Sequence, residues 1–285
     1  MDEKDVRKRR STILSTLTIP SASMASEQLL ELVMDDDVDL PSLAQAIQSE
    51  PGITARIVSI ANSAFFSSPC KVFTVEQAMI KVLGAQTVRS LCMGMLMGPK
   101  FKTRSCPEFS LQGYWCKALA AAQCASLLAK KIPRIDANSA YLAGLLHSIG
   151  QLLQVHHFPA EMNQLLPKFV AGNNQLRLSQ EREWLGVDSS EVGGWLATRW
   201  LLPKEAIATI TDLQDLIYKG AHWEVVRVVG YVVRFLDEAD DLVAETQCVS
   251  EIFNVPLQDL HKLHETFSEV KSTVGTLAEF LSNNE

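Results

Sequence analysis

The chain has 285 residues, 47% of them hydrophobic and 21% charged, with a formal net charge of −7. That composition excludes a disordered chain and supplies enough residues for one large core or two modest ones. The acidic balance, with a pI near 5.5, argues against a general nucleic-acid binder, which needs a cationic surface to displace phosphate counterions.

At the N-terminus, MDEKDVRKRR is charged with no signal-type apolar stretch behind it. Its basic run, Arg7 to Arg10, reads as a solvated end. Asp35, Asp36 and Asp37 precede a helix, where carboxylates are favourable without any cation. Asp39 is the expected N-cap, Pro41 sits in the first turn, and Leu40, Leu43, Ala44 and Ile47 follow the i, i+3, i+4, i+7 template. Pro51 opens a second helix with Ile53, Ile57, Ile60, Ala61 and Ala64 on one face. Thr74 and Gln77 form a capping-box pattern ahead of Val75, Ala78, Met79, Val82 and Leu83, and Gly84 is the expected stop. Val88, Leu91, Cys92 and Met95 mark a further helix, whose Met93, Met95 and Met97 read as core filling.

Lys100 to Pro107 is polar and aperiodic, and reads as the break between an N-terminal helical lobe and a central bundle. Leu111, Tyr114, Trp115, Ala118, Leu119 and Ala122 define a long alanine-rich helix. Asp136 caps another that runs through Ala140, Tyr141, Gly144 and Leu145 toward Leu153, and Pro159, Asn173-Asn174 and Pro203 mark later boundaries. Trp115, Leu146 and Trp195 are expected to share one central core. The stretch VVRVVGYVVRF from Val225 suggests a strand by β-branched density alone. Yet Val225, Val228, Val229, Val232, Val233 and Leu236 match the helical period, so a buried helix is predicted.

No strand, glycine-rich phosphate loop or internal repeat stands out, and no run of roughly twenty apolar residues offers a membrane span. The expectation is an all-α, cytoplasmic chain: an N-terminal lobe over 1–100, a bundle over 108–240 and a helical extension over 241–285. The cysteines at 70, 92, 106, 116, 124 and 248 include no CxxC pair, which favours incidental thiols over a zinc knuckle or redox pair.

Two blocks carry a resemblance. The first joins Glu50-Pro51, Asn62-Ser63-Ala64 and the run from Ala78 to Gly84; the second is AGLLHSIGQLL, ending at Leu153, followed by LGVDSSEVGGWLATRWLLP from Leu185 to Pro203. Together they resemble the HDOD domain family over roughly residues 14 to 240. The resemblance implies an HD-domain-like helical bundle, related to the HD phosphohydrolases that hold one or two divalent metals, and a role in bacterial signal transduction. It also implies where metal ligands would fall. The naming His-Asp doublet is His147-Ser148 here, the upstream histidine slot falls near Ala118, a later slot is Asp188-Ser189, and the final His-His pair corresponds to Leu213-Gln214. One imidazole cannot hold and position a metal that needs three or four ligands. No metal, cofactor or catalytic residue is therefore expected, and His147 and Ser148 read as a remnant.

His147 is expected as a neutral, hydrogen-bonded residue of the bundle. Asn62 and Ser63 are candidate ligand residues, with helix ending as the plainer role. His156-His157 fits a helix C-terminus, and His261 and His264 fit a solvated face. The function expected is a non-enzymatic regulatory module binding a signalling protein or a small molecule, with no nucleic acid, no membrane and an oligomeric state left open. Its expected working surface is the cleft between lobe and bundle. The alternative is a divergent metal-dependent phosphohydrolase acting on a nucleotide or phosphate ester, which would have to build a site from His147 with carboxylates such as Asp136, Asp188 or Asp212.

Overall fold

Each expected helix boundary is a place where the chain can satisfy, or cannot form, backbone hydrogen bonds. The computed structural model describes residues 15, 17, 24–35, 37–63, 66, 71–97, 101–169, 173–238 and 242–282. The basic run at 7–10, Asp36, Ala64, Cys70 and Lys100 lie outside the described residues, as does the side chain of Met97. The N-terminal lobe contains α1 (Met24–Met34), α2 (Leu40–Gln48), α3 (Pro51–Ala61), α4 (Val75–Ala78) and α5 (Ala85–Met97). Asp39 caps α2 by accepting from the Ser42 amide, and Thr74 caps α4 by accepting from Gln77. The Gln77 side chain reaches back to the Phe73 amide, one residue earlier than a standard capping box. A single wide turn over Met79–Leu83 then ends at Gly84, whose φ of +78° suits glycine.

The expected break is confined to a loop whose Lys102, Arg104, Ser105 and Pro107 are exposed but which is anchored on the core. Phe101, Thr103 and Cys106 are buried, and the Lys102 amide donates to His156 Nδ1 at 2.9 Å. His156 thus anchors the loop as well as ending a helix.

The bundle follows as α6 (Leu111–Ala129), α7 (Ala137–Leu146), α8 (Ile149–His157), α9 (Pro159–Leu165), α10 (Asn174–Leu185), α11 (Ser189–Arg199), α12 (Lys204–Asp212) and α13 (Trp223–Leu236). The valine-rich stretch is helix, buried on Val225, Val226, Val228, Val229, Val232 and Val233. No strand occurs among the described residues. The segments α14 (Leu242–Phe253), α15 (Leu257–Thr273) and α16 (Gly275–Ser282) follow, with α15 and α16 lying against α6. One apolar cluster runs from Leu17 to Leu281.

One expectation about side chains needs refinement and another correction. Trp115 and Leu146 are in the core, and Trp195 packs against that same core from its margin, partly exposed, with the Arg199 guanidinium 4.7 Å over its ring. It sits on the flank of α11, and buried Val192 and Leu196 supply that helix's core contacts. His264 is not on a solvated face: it stacks on Phe235 at 4.5 Å and hydrogen-bonds the Tyr231 hydroxyl. Met93 and Met95 are buried as core filling.

The lobe is tied down by one side chain. Arg89 of α5 is 5% exposed and donates to the carbonyls of Leu32, Val33, Asp35 and Val38. It thereby satisfies the orphan C-terminal carbonyls of α1 and the turn into α2.

Candidate functional site

Small residues set the geometry around His147. A Cβ at Gly144 would stand 2.8 Å from the Ala121 carbonyl oxygen, so α7 lies directly on alanine-rich α6. At Gly150 a Cβ would fall 1.8 Å from the Ser189 carbonyl oxygen, so the N-terminal turns of α8 and α11 touch backbone to backbone. Between these two contacts the chain breaks from α7 into α8 at His147 and Ser148.

A cavity of about 240 Å³ opens there, lined by His147, Ser148, Gln151, Tyr114, Lys117, Asn174, Arg177, Ser189, Ser190 and Asp237, with Phe169, Ile210, Leu213, Gln214 and Val233 completing the wall. His147 Nδ1 lies 2.6 Å from the Gly144 carbonyl oxygen. A carbonyl can only accept, so Nδ1 carries the proton and Nε2 keeps its lone pair. Burial lowers the His147 pKa to about 4, assisted by Arg177 and Lys117 and opposed by the Gly144 bond and Asp237. The imidazole is neutral at pH 7. Lys117 and Asp237 form an ion pair at 3.0 Å.

Three helix N-termini meet at this cavity: α8 through Ser148 and Gln151, α10 through Asn174 and Arg177, and α11 through Ser189 and Ser190. Ser148 makes no side-chain cap on α8. Asp188 caps α11 with Glu191 in a full capping box, and the buried Glu181 carboxylate accepts from the Ser189 amide at 2.6 Å. Tyr114 Oη, Asn174 Nδ2 and Arg177 Nε are buried without a hydrogen-bond partner among the described residues. Burial raises the Tyr114 pKa, and the neighbouring Ser148 side chain opposes the rise.

The carboxylates of the hydrolase alternative stand elsewhere. Asp136 caps the other end of α7, about 15 Å from His147 along the helix axis. Asp188 is committed to its cap and to Arg182 at 2.6 Å, and Asp188 and Asp212 face a different hollow beside Leu216 and Ile217. Asp237 is the one carboxylate lining the His147 cavity among the described residues. No group of three or more His, Cys, Asp or Glu side chains among the described residues is placed to hold a metal ion. The donor set does not fit the metals that the resemblance implies.

Asn62 donates to the Val58 and Val72 carbonyls and accepts from the Val72 amide, and Ser63 donates to the Ile60 carbonyl. Their polar atoms are engaged in ending α3. The lobe–bundle junction does hold a cavity of about 240 Å³ beside Arg89, Asn138 and Glu205, but its arginine is committed to the four carbonyls above. Three of the buried unpartnered polar atoms among the described residues, on Tyr114, Asn174 and Arg177, belong to residues lining the His147 cavity. Lys117, Asn174, Arg177 and Asp237 were not legible as site residues, because their meeting depends on how α6, α10 and α13 pack.

An all-helical bundle with a helix break at a histidine, preceded by a helical lobe, defines the HD-like class of fold. Within that class the chain belongs to the HDOD domain family, whose model matches residues 19–216. A protein of undescribed function from Treponema pallidum (strain Nichols) is 24% identical over 225 residues, covering 77% of this chain and 42% of that one; the chain thus spans less than half of that relative's length. Among solved structures, a protein provisionally described as a signal transduction protein from Marinobacter aquaeolei VT8 has a TM-score of 0.80 at 24% identity, over 98% of this chain and 66% of that one. An HDOD domain protein of unknown function from Geobacter sulfurreducens has a TM-score of 0.74 at 18% identity, over 97% and 99%. A protein provisionally described as a phosphohydrolase from Shewanella amazonensis SB2B scores 0.74 at 23% identity, over 96% and 98%. At these identities the structural likenesses establish the fold. No helix among the described residues is long and apolar enough to cross a membrane.

Proposed function

We propose that this HDOD chain is a non-enzymatic regulatory module of bacterial signal transduction, acting in the cytoplasm by binding a small molecule or a signalling partner at the cavity around His147. One observation carries the reading: among the described residues, the histidine that would anchor a metal stands with a single lining carboxylate, Asp237, and that carboxylate is paired with Lys117. A metal that acidifies water needs three or so protein ligands and an open position. The cavity instead presents hydroxyls, amides and cations, which suits recognition. His147 and Ser148 are then the remnant of an ancestral metal site, and Asn62 and Ser63 are structural.

The test is turnover. The purified chain, supplied separately with magnesium, manganese, iron(II) and zinc, is assayed against nucleotides, cyclic dinucleotides and an aryl phosphate. The expected result is release no faster than the blank, identical for His147→Ala. Metal-dependent hydrolysis that vanishes in His147→Ala would restore the phosphohydrolase alternative.

A further inference from the structure

We infer that the His147 cavity is a binding site for a small phosphate-bearing ligand. The inference deepens the reading above by naming the ligand's chemistry.

The first line of argument is the supply of donors. Tyr114 is 5% exposed, and its hydroxyl has the Ser148 side chain beside it but no partner in full hydrogen-bond geometry among the described residues; Asn174 Nδ2 and Arg177 Nε are likewise buried and unpartnered there. Leaving buried donors unmade is costly, so such groups cluster where a ligand completes them. The nearest carboxylate to Arg177 Nε belongs to Glu181, at 3.8 Å, beyond hydrogen-bond reach. Lys117 and the hydroxyls of Ser148, Ser189 and Ser190 add donors on the same wall.

The second line is the helix ends. The N-termini of α8, α10 and α11 all contribute to the lining, in helices of 9, 12 and 11 residues. Each presents backbone amides and the positive end of its dipole. The α11 end is partly answered by Asp188 and Glu181, whereas α8 has no side-chain cap. Donors drawn from three separate helices outnumber what a planar carboxylate can accept and suit the several oxygens of a phosphate group.

Two features shape the ligand further. Each cation already has a carboxylate beside it, Asp237 for Lys117 and Glu181 for Arg177. The site is therefore rich in donors without being strongly cationic, and suits a mono- or dianion over a polyphosphate. Neutral His147 leaves Nε2 as an acceptor, which the protonated oxygen of a hydrogen-phosphate group can fill. At about 240 Å³ the cavity falls just short of the roughly 300–1,000 Å³ typical of drug-sized ligands. It fits inorganic phosphate or a phosphate monoester with a small organic part.

The experiment is calorimetric titration of the full chain with inorganic phosphate, glycerol phosphate and a nucleoside monophosphate. Wild type is expected to bind at least one of them at a single saturable site; tightest binding by inorganic phosphate identifies a free anion as the ligand, and tightest binding by an ester identifies an organic phosphate. Arg177→Met and Tyr114→Phe are expected to weaken binding by at least tenfold and about threefold. Lys81→Ala, on the exposed surface of the lobe, should bind as wild type. Tyr114→Phe guards against a folding artefact: it removes an unmade hydroxyl, so the unliganded variant should melt no lower than wild type while binding more weakly. No saturable binding by any of the three ligands, or equal affinities for wild type and Tyr114→Phe, overturns the inference. A chain that hydrolyses phosphate esters but binds as expected would defeat the non-enzymatic reading alone.

Discussion

Replacing His147 with Ala and following stability against pH examines the site from its protonation. In the folded chain burial lowers the His147 pKa from the ordinary 6.5 to about 4. Between those values the unfolded chain carries a proton that the folded chain lacks, so the unfolded state gains as pH falls. Wild-type stability is accordingly whole above about pH 6.5 and drains away toward about pH 4, a window worth about 3 kcal/mol. The alanine variant has no such titration. At about pH 7.5 it should be less stable by about 1–3 kcal/mol, because the Gly144 carbonyl loses its donor. At about pH 4.5 wild type has lost about 2.5 kcal/mol of the window, so the gap should close and the order can reverse. Carboxylate titrations common to both proteins cancel in the difference. Urea unfolding followed by tryptophan fluorescence at several pH values measures the gap directly. A gap constant from neutral to acid pH refutes a neutral, buried His147.

Gly150→Ala drives a methyl into the Ser189 carbonyl and should destabilise by about 3 kcal/mol or more, since backbone on both sides must move; a melting point within a degree or two of wild type contradicts the close approach. Arg89→Met removes the donor to the four carbonyls of α1 and its following turn and should cost about 3 kcal/mol or more, with hydrogen exchange accelerated first in α1 and α2; exchange spread evenly over the chain contradicts the pin. Trp115→Ala should cost about 3–5 kcal/mol, while partly buried Trp195→Ala should cost less; equal losses in chemical denaturation contradict their different burial.

Much of the fold is written locally. Asp39, Thr74 and Asp136 cap the helices they precede, because a cap is a relation between residues three apart. The valine-rich α13 is legible through its period in spite of its β-branched composition. Trp195 was placed too deep because period assigns a face, and the flank of that face is decided by the neighbouring helix. His264 was misread for the same reason: Phe235 and Tyr231 reach it from α13, some thirty residues away. The candidate site shows the same division. His147 and Ser148 are visible as a doublet, but Tyr114, Arg177 and Asp237 come to them only through packing across α6, α10 and α13.

The position of α16 against α6 has a consequence for how the chain is made. About 150 residues separate the end of α6 from the start of α16, an interval of roughly 7–30 s at ribosomal speed. Throughout that time one flank of the bundle's central helix emerges without its cover. An exposed leucine or phenylalanine surface would invite wrong partners over such a delay. The helix reads LQGYWCKALAAAQCASLLA, and its alanines answer the difficulty from both directions. They hold helix strongly without neighbours, and their short side chains offer little apolar area for a mistaken contact to grip before the proper one arrives.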